Sequence, residues 1–245
     1  MSSTIKSQYR IFNESTPYFR KDRYENPKEV FKGIWKKTQE CVNCGERKSA
    51  VDIGCANGEY LYYLKQQCPQ WDYTGYDMTE GFIETARSIE QMKDIRFEVK
   101  NLFDIEGEPF DVVYCLGTFP IFHGVDKPLQ KLLNICKPNG FIFVEGFFNK
   151  YDIDVRLEFC DNSREEMRGQ WRSDYNQHSC YSVRKFLDGK VRKFEFNELP
   201  VEVDIPYDPE KPATFAFTFR DADGKNIVTS GLNMFRNTTL LSIQK

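Results

Sequence analysis

The residues best suited to chemistry form a loop between a short apolar run and a helical pattern, where the chain reads Val-Asp-Ile-Gly-Cys-Ala-Asn-Gly-Glu over residues 51–59. Small residues stand at every second position, at Gly54, Ala56 and Gly58. Without large side chains, the backbone of such a loop can approach a ligand closely. The spacing differs from the dinucleotide fingerprint GxGxxG, and no Gly-Lys-Ser/Thr follows to make a phosphate-binding P-loop. The loop therefore predicts a close-contact site for another kind of small ligand.

A carboxylate follows at the end of the next apolar run. Asp77 lies 19 residues beyond Gly58 (77 − 58). In nucleotide-binding α/β folds, an acid about 20 residues past the glycine-rich turn accepts hydrogen bonds from ribose hydroxyls. The alternative is that Asp77 caps the helix predicted from Glu80, but Thr79 can fill that role. We therefore expect Asp77 to bind a ribose.

Residues of this kind are positioned by a parallel sheet, and the surrounding pattern predicts one. Short apolar runs alternate with helical patterns, which indicates parallel strands joined by right-handed crossovers. The predicted strands are 50–53, 73–76, 95–99, 110–116 and 141–146, and the predicted helices are 59–67, 80–90 and 128–136. Further strands are predicted at 191–196, 200–205, 214–220, 226–230 and 238–243, with turns at 137–140 and 221–224. The expected fold is α/β: a Rossmann-like, mostly parallel sheet with helices on both faces and a C-terminal antiparallel extension.

The ordered set of motifs resembles the class I S-adenosylmethionine-dependent methyltransferases. Their first motif is an acid, a spacer and three alternating glycines, and here Ala56 replaces the middle glycine. The first-motif positions are Asp52, Gly54, Ala56 and Gly58, and the later matches are Asp77, 100–102, 110–113 and 137–140. The resemblance covers about residues 48–147.

The resemblance implies S-adenosyl-L-methionine as cofactor and assigns its contacts by position. The glycine loop would line the methionine half, with Asp52 supporting the ammonium group. The residues after the second and third strands would hold ribose and adenine, and those after the fourth would close the pocket. The implied cofactor-binding residues are Asp52, Gly54, Cys55, Ala56, Gly58, Asp77, Met78, Asn101, Leu102, Cys115 and Leu116.

Candidate catalytic residues are few, because methyl transfer from a sulfonium depends mainly on alignment of the acceptor. A general base is needed only where the acceptor must lose a proton early. His123, His178 and Glu145 are the candidates for that role. Each has an ordinary alternative: the histidines as hydrogen-bonded structural groups, and Glu145 as a solvent-exposed charge at a strand end.

The chain divides into two predicted parts. Residues 1–46 form an N-terminal helical segment, with a helix start at 26–29 and with Tyr18, Phe19 and Tyr24 as either a lid or ordinary packing. Residues 47–245 form the methyltransferase domain, and 147–181 are an acceptor-side insertion because they mix charge and aromatic residues without a clear period.

Composition limits the partners. A net charge of −3 and a pI near 5.6 argue against nucleic acid. No run of 18 apolar residues is present and the first residues are polar, so we expect a cytoplasmic protein without a membrane partner. Cys41 and Cys44 form a lone CxxC without the second pair of a zinc site, so we expect reduced thiols and no metal.

The predicted function is methylation of an oxygen or nitrogen of a small molecule. The later chain loosely resembles methyltransferases of sugar and surface-polysaccharide pathways, which suggests a sugar or related metabolite. Neither an Asn/Asp-Pro-Pro-Tyr motif nor a Pro-Cys dipeptide occurs, which disfavours nucleobase methylation. The alternatives are a protein or RNA acceptor, a non-catalytic S-adenosylmethionine-binding protein, and a nicotinamide-dependent oxidoreductase, which the missing GxGxxG opposes.

Overall fold

The computed structural model describes residues 23–162, 165–210, 215–232, 234–236 and 238–245. The strands, in chain order, are β1 Ser49–Ile53, β2 Asp72–Asp77, β3 Arg96–Val99, β4 Phe110–Leu116, β5 Cys136–Asn149, β6 Glu158–Cys160, β7 Trp171–Ser173, β8 His178–Ser179, β9 Lys193–Glu198, β10 Ala216–Arg220, β11 Asn226–Ser230 and β12 Thr238–Gln244. The α-helices are α1 Glu29–Cys41, α2 Glu59–Gln67, α3 Glu80–Arg87, α4 Asp126–Ile135 and α5 Cys180–Leu187.

The main sheet runs in the order β3-β2-β1-β4-β5-β12-β9, with the short β8 beside β5. The strands from β3 to β5 are parallel to one another. β12 is antiparallel to both of its neighbours, β5 and β9. This confirms the predicted Rossmann-like sheet with its antiparallel C-terminal extension. The chain reverses its direction of travel across the sheet between β1 and β4, which is the point where open α/β sheets bind ligands.

Helices cover both faces of the sheet, because alternate strand residues point to opposite sides. Val113 and Cys115 of β4 belong to the core cluster that includes residues of α4 and α5. Val112 and Tyr114 belong to the other cluster, which includes residues of α1, α2 and α3. No described helix is long and apolar enough to cross a lipid bilayer.

Several local predictions were wrong. Residues 200–205 do not form a strand, although Ile205 makes two hydrogen bonds with Thr218. The Ile205 N–H donates to the Thr218 hydroxyl at 2.8 Å, and the Ile205 carbonyl accepts the Thr218 N–H at 2.9 Å. Helix α5 was not predicted, although its N-cap Ser179 accepts from the Ser182 N–H at 3.0 Å. The N-cap of α1 is Lys28, two residues after the expected Asn26.

The segment between β5 and α5 is more ordered than its sequence suggests. It contains the antiparallel β6–β7 ribbon and an isolated bridge between Val155 and Gln177. Asn176 attaches it to the loop after β4, because its side-chain amide donates to the carbonyls of Pro120 and Phe122, each at 3.0 Å. The β10–β11 hairpin forms a separate two-stranded sheet around the predicted 221–224 turn.

Candidate functional site

A cavity of about 220 Å³ lies at the carboxyl ends of β1, β2 and β4, and α1 contributes one wall. This is the edge of the sheet at which the chain reverses its direction of travel, between β1 and β4. The lining residues are Lys28, Val30, Phe31, Ile34, Ile53, Gly54, Ala56, Asp77, Met78, Thr79, Phe82, Lys100, Asn101, Leu102, Leu116, Gly117, Thr118, Ile121, Phe122, Glu145 and Tyr175. We call this space the cofactor cavity.

Asp77 fixes the glycine loop against the end of β2. Its carboxylate accepts the Ala56 N–H at 3.0 Å and the Thr79 N–H at 2.8 Å. Burial raises the pKa of this carboxyl, and the two backbone donors act in the opposite direction. Thr79 is the N-cap of α3 but makes no side-chain capping bond. Asp77 therefore has a structural role in addition to its place on the cavity wall.

The glycine loop has a conformation that requires small residues. Gly54 has φ +75°, and a Cβ built on it would lie 1.9 Å from Thr118 Oγ1. Gly58 has φ +82°, and its Cβ would lie 2.7 Å from the Phe97 ring. Ala56, in place of the middle glycine, also has a positive φ of 47°. The loop is therefore in tight contact with Thr118, which lines the cavity, and with Phe97, which does not.

Asp52 lies behind the loop on β1 and is 3% exposed. Its Oδ1 has no hydrogen-bonding partner among the described residues. Burial, with a smaller contribution from the nearby Asp77 carboxylate, raises the pKa of Asp52 to about 8, while the charge of Lys28 acts against the rise. An unpaired carboxylate oxygen at this depth is suited to a cationic ligand group.

Not every residue assigned to the cofactor by resemblance reaches the cavity. Gly54, Ala56, Asp77, Met78, Asn101, Leu102 and Leu116 line it. Asp52, Cys55, Gly58 and Cys115 are buried beside it and are not on its surface. Cys55 and Cys115 pack in the two hydrophobic clusters on either side of the sheet. For these four residues the assigned cofactor contact remains a prediction.

The adenine end of the predicted site pairs an apolar clamp with an amide. Met78 is 42% exposed and Leu102 is buried, and both border the cavity. The Asn101 Oδ1 accepts the Phe103 N–H at 3.0 Å, as the cap of a short 3₁₀ turn. Because this oxygen is already used, the amide NH₂ is the group that Asn101 offers most freely to a ligand.

The opposite end of the cavity is formed by β5 itself and by the segments that follow β4 and β5. Thr118, Glu145 and Tyr175 line it, and Glu145 pairs in register with Leu116 across the two strands. Burial raises the pKa of Glu145 to about 7, and the positive charge of Lys28 opposes the rise. Glu145 is half-buried on the cavity wall, which excludes its alternative role as an exposed strand-end charge.

A buried ion pair holds Tyr175 in place. The Arg236 guanidinium donates to Asp174 at 2.9 Å, and the two side chains are 6% and 0% exposed. The same guanidinium lies 5.5 Å from the Tyr175 ring centroid and 5.6 Å from that of Phe147. The C-terminal part of the chain therefore positions a residue of the cavity wall that belongs to the 147–181 segment.

Neither histidine lines the cofactor cavity. His123 is half-buried, and its Nε2 lies 2.9 Å from Ser173 Oγ. His178 is 3% exposed and packs edge-on against Phe119, with ring centroids 5.2 Å apart. Burial lowers the pKa of His178, so the ring is neutral at neutral pH. Both histidines border a second pocket.

The N-terminal segment contributes one residue that the sequence did not single out. Lys28 lines the cavity and forms an ion pair with the buried Glu59 at 2.8 Å. Tyr24 donates its hydroxyl to the Asn57 carbonyl at 2.8 Å and packs against Tyr62. Tyr18 and Phe19 lie outside the described residues. No local pattern marks Lys28 or Thr118, because long-range packing brings both to the site.

The residues on the cavity wall fit S-adenosylmethionine. Asp77 suits the ribose, and the clamp of Met78 and Leu102 suits the adenine. The unpaired oxygen of Asp52, buried beside the cavity, is suited to a cationic group, and its contact with the ammonium stays a prediction. Within the described ranges, no cluster of three or more His, Cys, Asp or Glu side chains is placed to hold a metal ion.

Comparison with known proteins agrees with this arrangement. A family model described as a methyltransferase domain matches residues 45–197. The chain is 31% identical over 122 residues to a tRNA U34 carboxymethyltransferase of Campylobacter curvus, covering 46% of this chain and 37% of that protein. It is 28% identical over 102 residues to a ubiquinone biosynthesis O-methyltransferase of Neisseria meningitidis, covering 39% and 42%. The chain thus spans about two fifths of the length of these relatives.

A solved structure extends the likeness to the whole fold. The crystal structure of TehB from Haemophilus influenzae matches with a TM-score of 0.58 and 14% identity, covering 91% of this chain and 65% of that one. At this identity the likeness concerns the fold alone. The family match covers more than half of the chain and agrees with the order of the motifs, the strand order and the cavity. The chain belongs to the class I S-adenosylmethionine-dependent methyltransferase family.

Proposed function

We propose that this chain transfers the methyl group of S-adenosylmethionine to an oxygen or nitrogen of a small molecule. The observation that carries the proposal is the division of the cofactor cavity between two sets of polar groups. Asp77 and Asn101 lie at the ends of β2 and β3, and Glu145 and Tyr175 lie on the side of β4 and β5. A cofactor held at the first set leaves the second set for the acceptor.

When bound, the cofactor supplies a methyl group on a sulfonium, and its transfer depends chiefly on alignment with the acceptor. In the proposed arrangement Gly54, Asp77 and Asn101 hold and orient the cofactor. Phe122 and the Ile121 side chain help to exclude water from the acceptor end. Glu145, with a pKa raised to about 7 by burial, can take a proton from an acceptor hydroxyl near neutral pH.

A small acceptor is favoured over RNA by charge. The chain carries 37 acidic and 34 basic side chains, and its pI is near 5.6. Binding of an RNA backbone depends on neutralising phosphates with a basic surface. The relative from Campylobacter curvus is named for tRNA and the one from Neisseria meningitidis for ubiquinone biosynthesis. The experiment that tests the proposal therefore includes tRNA as a possible methyl acceptor.

The test is product detection by mass spectrometry. The protein is incubated with S-adenosylmethionine carrying a deuterated methyl group, in parallel with a metabolite extract, with total tRNA and with a protein extract. We expect a labelled product in the metabolite arm that is absent with Asp77→Ala. A labelled product only in the tRNA or protein arm would overturn the small-molecule proposal.

Binding is measured separately by calorimetry with S-adenosylmethionine, S-adenosylhomocysteine and NAD. Affinity for the first two without NAD binding is expected. Tight cofactor binding with no labelled product in any arm would instead support a non-catalytic binding protein.

A further inference from the structure

A second pocket, of about 800 Å³, borders the cofactor cavity. Phe122 lines both spaces and is 6% exposed, so its ring forms part of the wall between them. The second pocket is formed by the loop after β4 with the first turn of α4, and by the segment after β5 that continues into α5. These connections follow the carboxyl ends of two neighbouring strands, where α/β sheets bind ligands. We call it the cationic pocket.

Positive charge dominates the cationic pocket. Its cationic side chains are Lys127, Arg156, Lys185 and Lys190, against the two acids Asp126 and Asp154. Asp154 is already occupied, because it accepts the Ser179 N–H and the Ser182 hydroxyl, each at 2.6 Å, and these bonds lower its pKa. This excess of positive charge in the pocket contrasts with the net charge of the whole chain, which is −3.

The four cations have few partners in the described part of the chain. Arg156 donates to the His123 carbonyl at 3.4 Å, and Lys190 donates to the Phe186 carbonyl at 2.6 Å. No ion pair is formed between any of the four and a described carboxylate. Lys190 also lies 4.1 Å from the centroid of the Phe186 ring, so the charges most available to a ligand are those of Lys127, Arg156 and Lys185.

His178 supplies an independent sign of a ligand at the same place. It borders the cationic pocket, is 3% exposed, and its Nε2 has no hydrogen-bonding partner among the described residues. Buried polar atoms in folded proteins nearly always have a partner, so an orphaned one requires an explanation. A bound molecule that carries a hydroxyl or a protonated acid group would supply the missing donor.

We propose that the cationic pocket binds an anionic group, a carboxylate or phosphate, carried by the methyl acceptor. The inference rests on the proposed function, since it describes the acceptor of that reaction as an anion. In this arrangement the acceptor extends past Phe122, with its charged group in the cationic pocket and its nucleophile on the Glu145 and Tyr175 side of the cofactor cavity. Lys127, Arg156 and Lys185 bind the charge, and His178 Nε2 accepts a hydrogen bond from a hydroxyl of the ligand, either on the phosphate or beside the carboxylate.

The first test measures anion binding without turnover. Inorganic phosphate and citrate are titrated calorimetrically into the protein at constant ionic strength, because surface charge effects depend on salt. The double variant Lys127→Gln/Lys185→Gln should weaken phosphate binding about tenfold or more. The matched control Lys36→Gln/Lys93→Gln removes two exposed lysines elsewhere and should change the affinity less than about twofold. Equal phosphate affinity in the two double variants, or no binding to the wild type, would overturn the proposal.

The second test identifies the source of the anion. With the acceptor found by mass spectrometry, inorganic phosphate should raise its KM and leave kcat unchanged. The Lys127→Gln/Lys185→Gln variant should raise KM in the same way. The affinity for S-adenosylmethionine should stay unchanged in both lysine double variants, that of the cationic pocket and that of the control. Phosphate that binds in the pocket without competing with the acceptor would point to a separate anionic ligand and overturn the acceptor assignment. Failure to find any acceptor would count against the proposed function, whereas the phosphate titration would still decide the pocket.

Discussion

The two ends of the cofactor cavity are built in different ways. The donor end, formed after β1, β2 and β3, comes from a continuous stretch between Asp52 and Leu102. The proposed acceptor end, formed by β5 and the segment after it, combines Glu145 with Tyr175, and Arg236 near the C-terminus packs against Tyr175. A local loop can specify where a common cofactor binds, but the acceptor end is assembled from distant segments that can vary independently of that loop.

The largest expected effect lies at the acceptor end. With a hydroxyl acceptor, Glu145→Gln should lower kcat by about 10²–10⁴-fold, because it removes a positioned base. The wild-type pH–rate profile should show an ionisation near 7, which the variant loses. Cofactor affinity, measured by calorimetry, should change little.

His123→Ala is the comparison for this variant. His123 borders the cationic pocket and not the cofactor cavity, so its removal should leave the ionisation near 7 in place. If His123→Ala abolishes that ionisation and Glu145→Gln retains it, the base belongs to His123 and the division of the cavity is wrong.

The next effect concerns the ion pair behind Tyr175. Arg236→Met removes the guanidinium that pairs with the buried Asp174 carboxylate, so the free energy of unfolding should fall by about 3–5 kcal/mol in urea denaturation. Where the variant is folded, the acceptor KM should rise while cofactor affinity is kept. The double variant Arg236→Met/Asp174→Asn should recover part of the stability.

Trp171→Ala serves as the matched control in the same segment. Trp171 is 69% exposed and does not line the cavity, whereas Tyr175 does. Tyr175→Ala should therefore raise the acceptor KM and Trp171→Ala should not. Equal effects of the two substitutions would mean that the whole segment, and not its cavity wall, contacts the acceptor.

The difference between a donor end built from one stretch of chain and an acceptor end assembled from distant segments also explains which features the sequence could predict. The order of the parallel strands and the place of Asp77 follow from periodicity and spacing within one stretch of chain. Thr118 and Lys28 reach the cavity through packing between distant elements, which leaves no local signal. Helix α5 did leave one, since Ser179 is a good N-cap and Val183 and Leu187 repeat at helical spacing. The strand expected at 200–205 failed because alternation alone cannot supply a pairing partner.

At the donor end, the expected effect of Asp77→Ala is a loss of about 1–3 kcal/mol in cofactor binding, measured by calorimetry. The reason is twofold, because Asp77 borders the cavity and also holds the Ala56 N–H in the glycine loop. Asp77→Asn keeps one oxygen acceptor and should bind the cofactor more tightly than Asp77→Ala. Glu84→Ala, an exposed acid on α3, should have no effect on the affinity. An unchanged affinity in Asp77→Ala would remove Asp77 from the binding site.

Asp52 predicts a pH dependence of cofactor binding. Its pKa of about 8 means that the free protein holds a proton there at neutral pH, whereas a bound ammonium favours the ionised carboxylate. Affinity for S-adenosylmethionine should therefore rise with pH between about 6 and 7.5, by at most about tenfold per unit. Methylthioadenosine, which lacks the ammonium, should show no such slope, and Asp52→Asn should abolish it.

The pH dependence of protein stability is a second, independent test of Asp52. An acid whose pKa is raised on folding binds its proton more tightly in the folded state, so stability falls as pH rises from the unfolded value of 3.8 to about 8. The free energy of unfolding of the wild type should fall relative to Asp52→Asn over this window. A parallel pH dependence of the two proteins would show that Asp52 titrates normally.

The smallest effect is expected at Ala56, where the chain departs from the three alternating glycines of the first motif. Ala56 has φ +47°, a region where residues with a Cβ are strained, so Ala56→Gly should raise the free energy of unfolding by about 0.5–1 kcal/mol. Its methyl group also borders the donor end of the cavity, and removing it should alter cofactor affinity by less than about threefold. Acceptor KM should not change, because the Ala56 N–H bonds to Asp77 and not to any group of the acceptor end. A loss of stability in Ala56→Gly would mean that the methyl contacts outweigh the backbone strain, and a changed acceptor KM would mean that the two ends of the cavity are coupled through the loop.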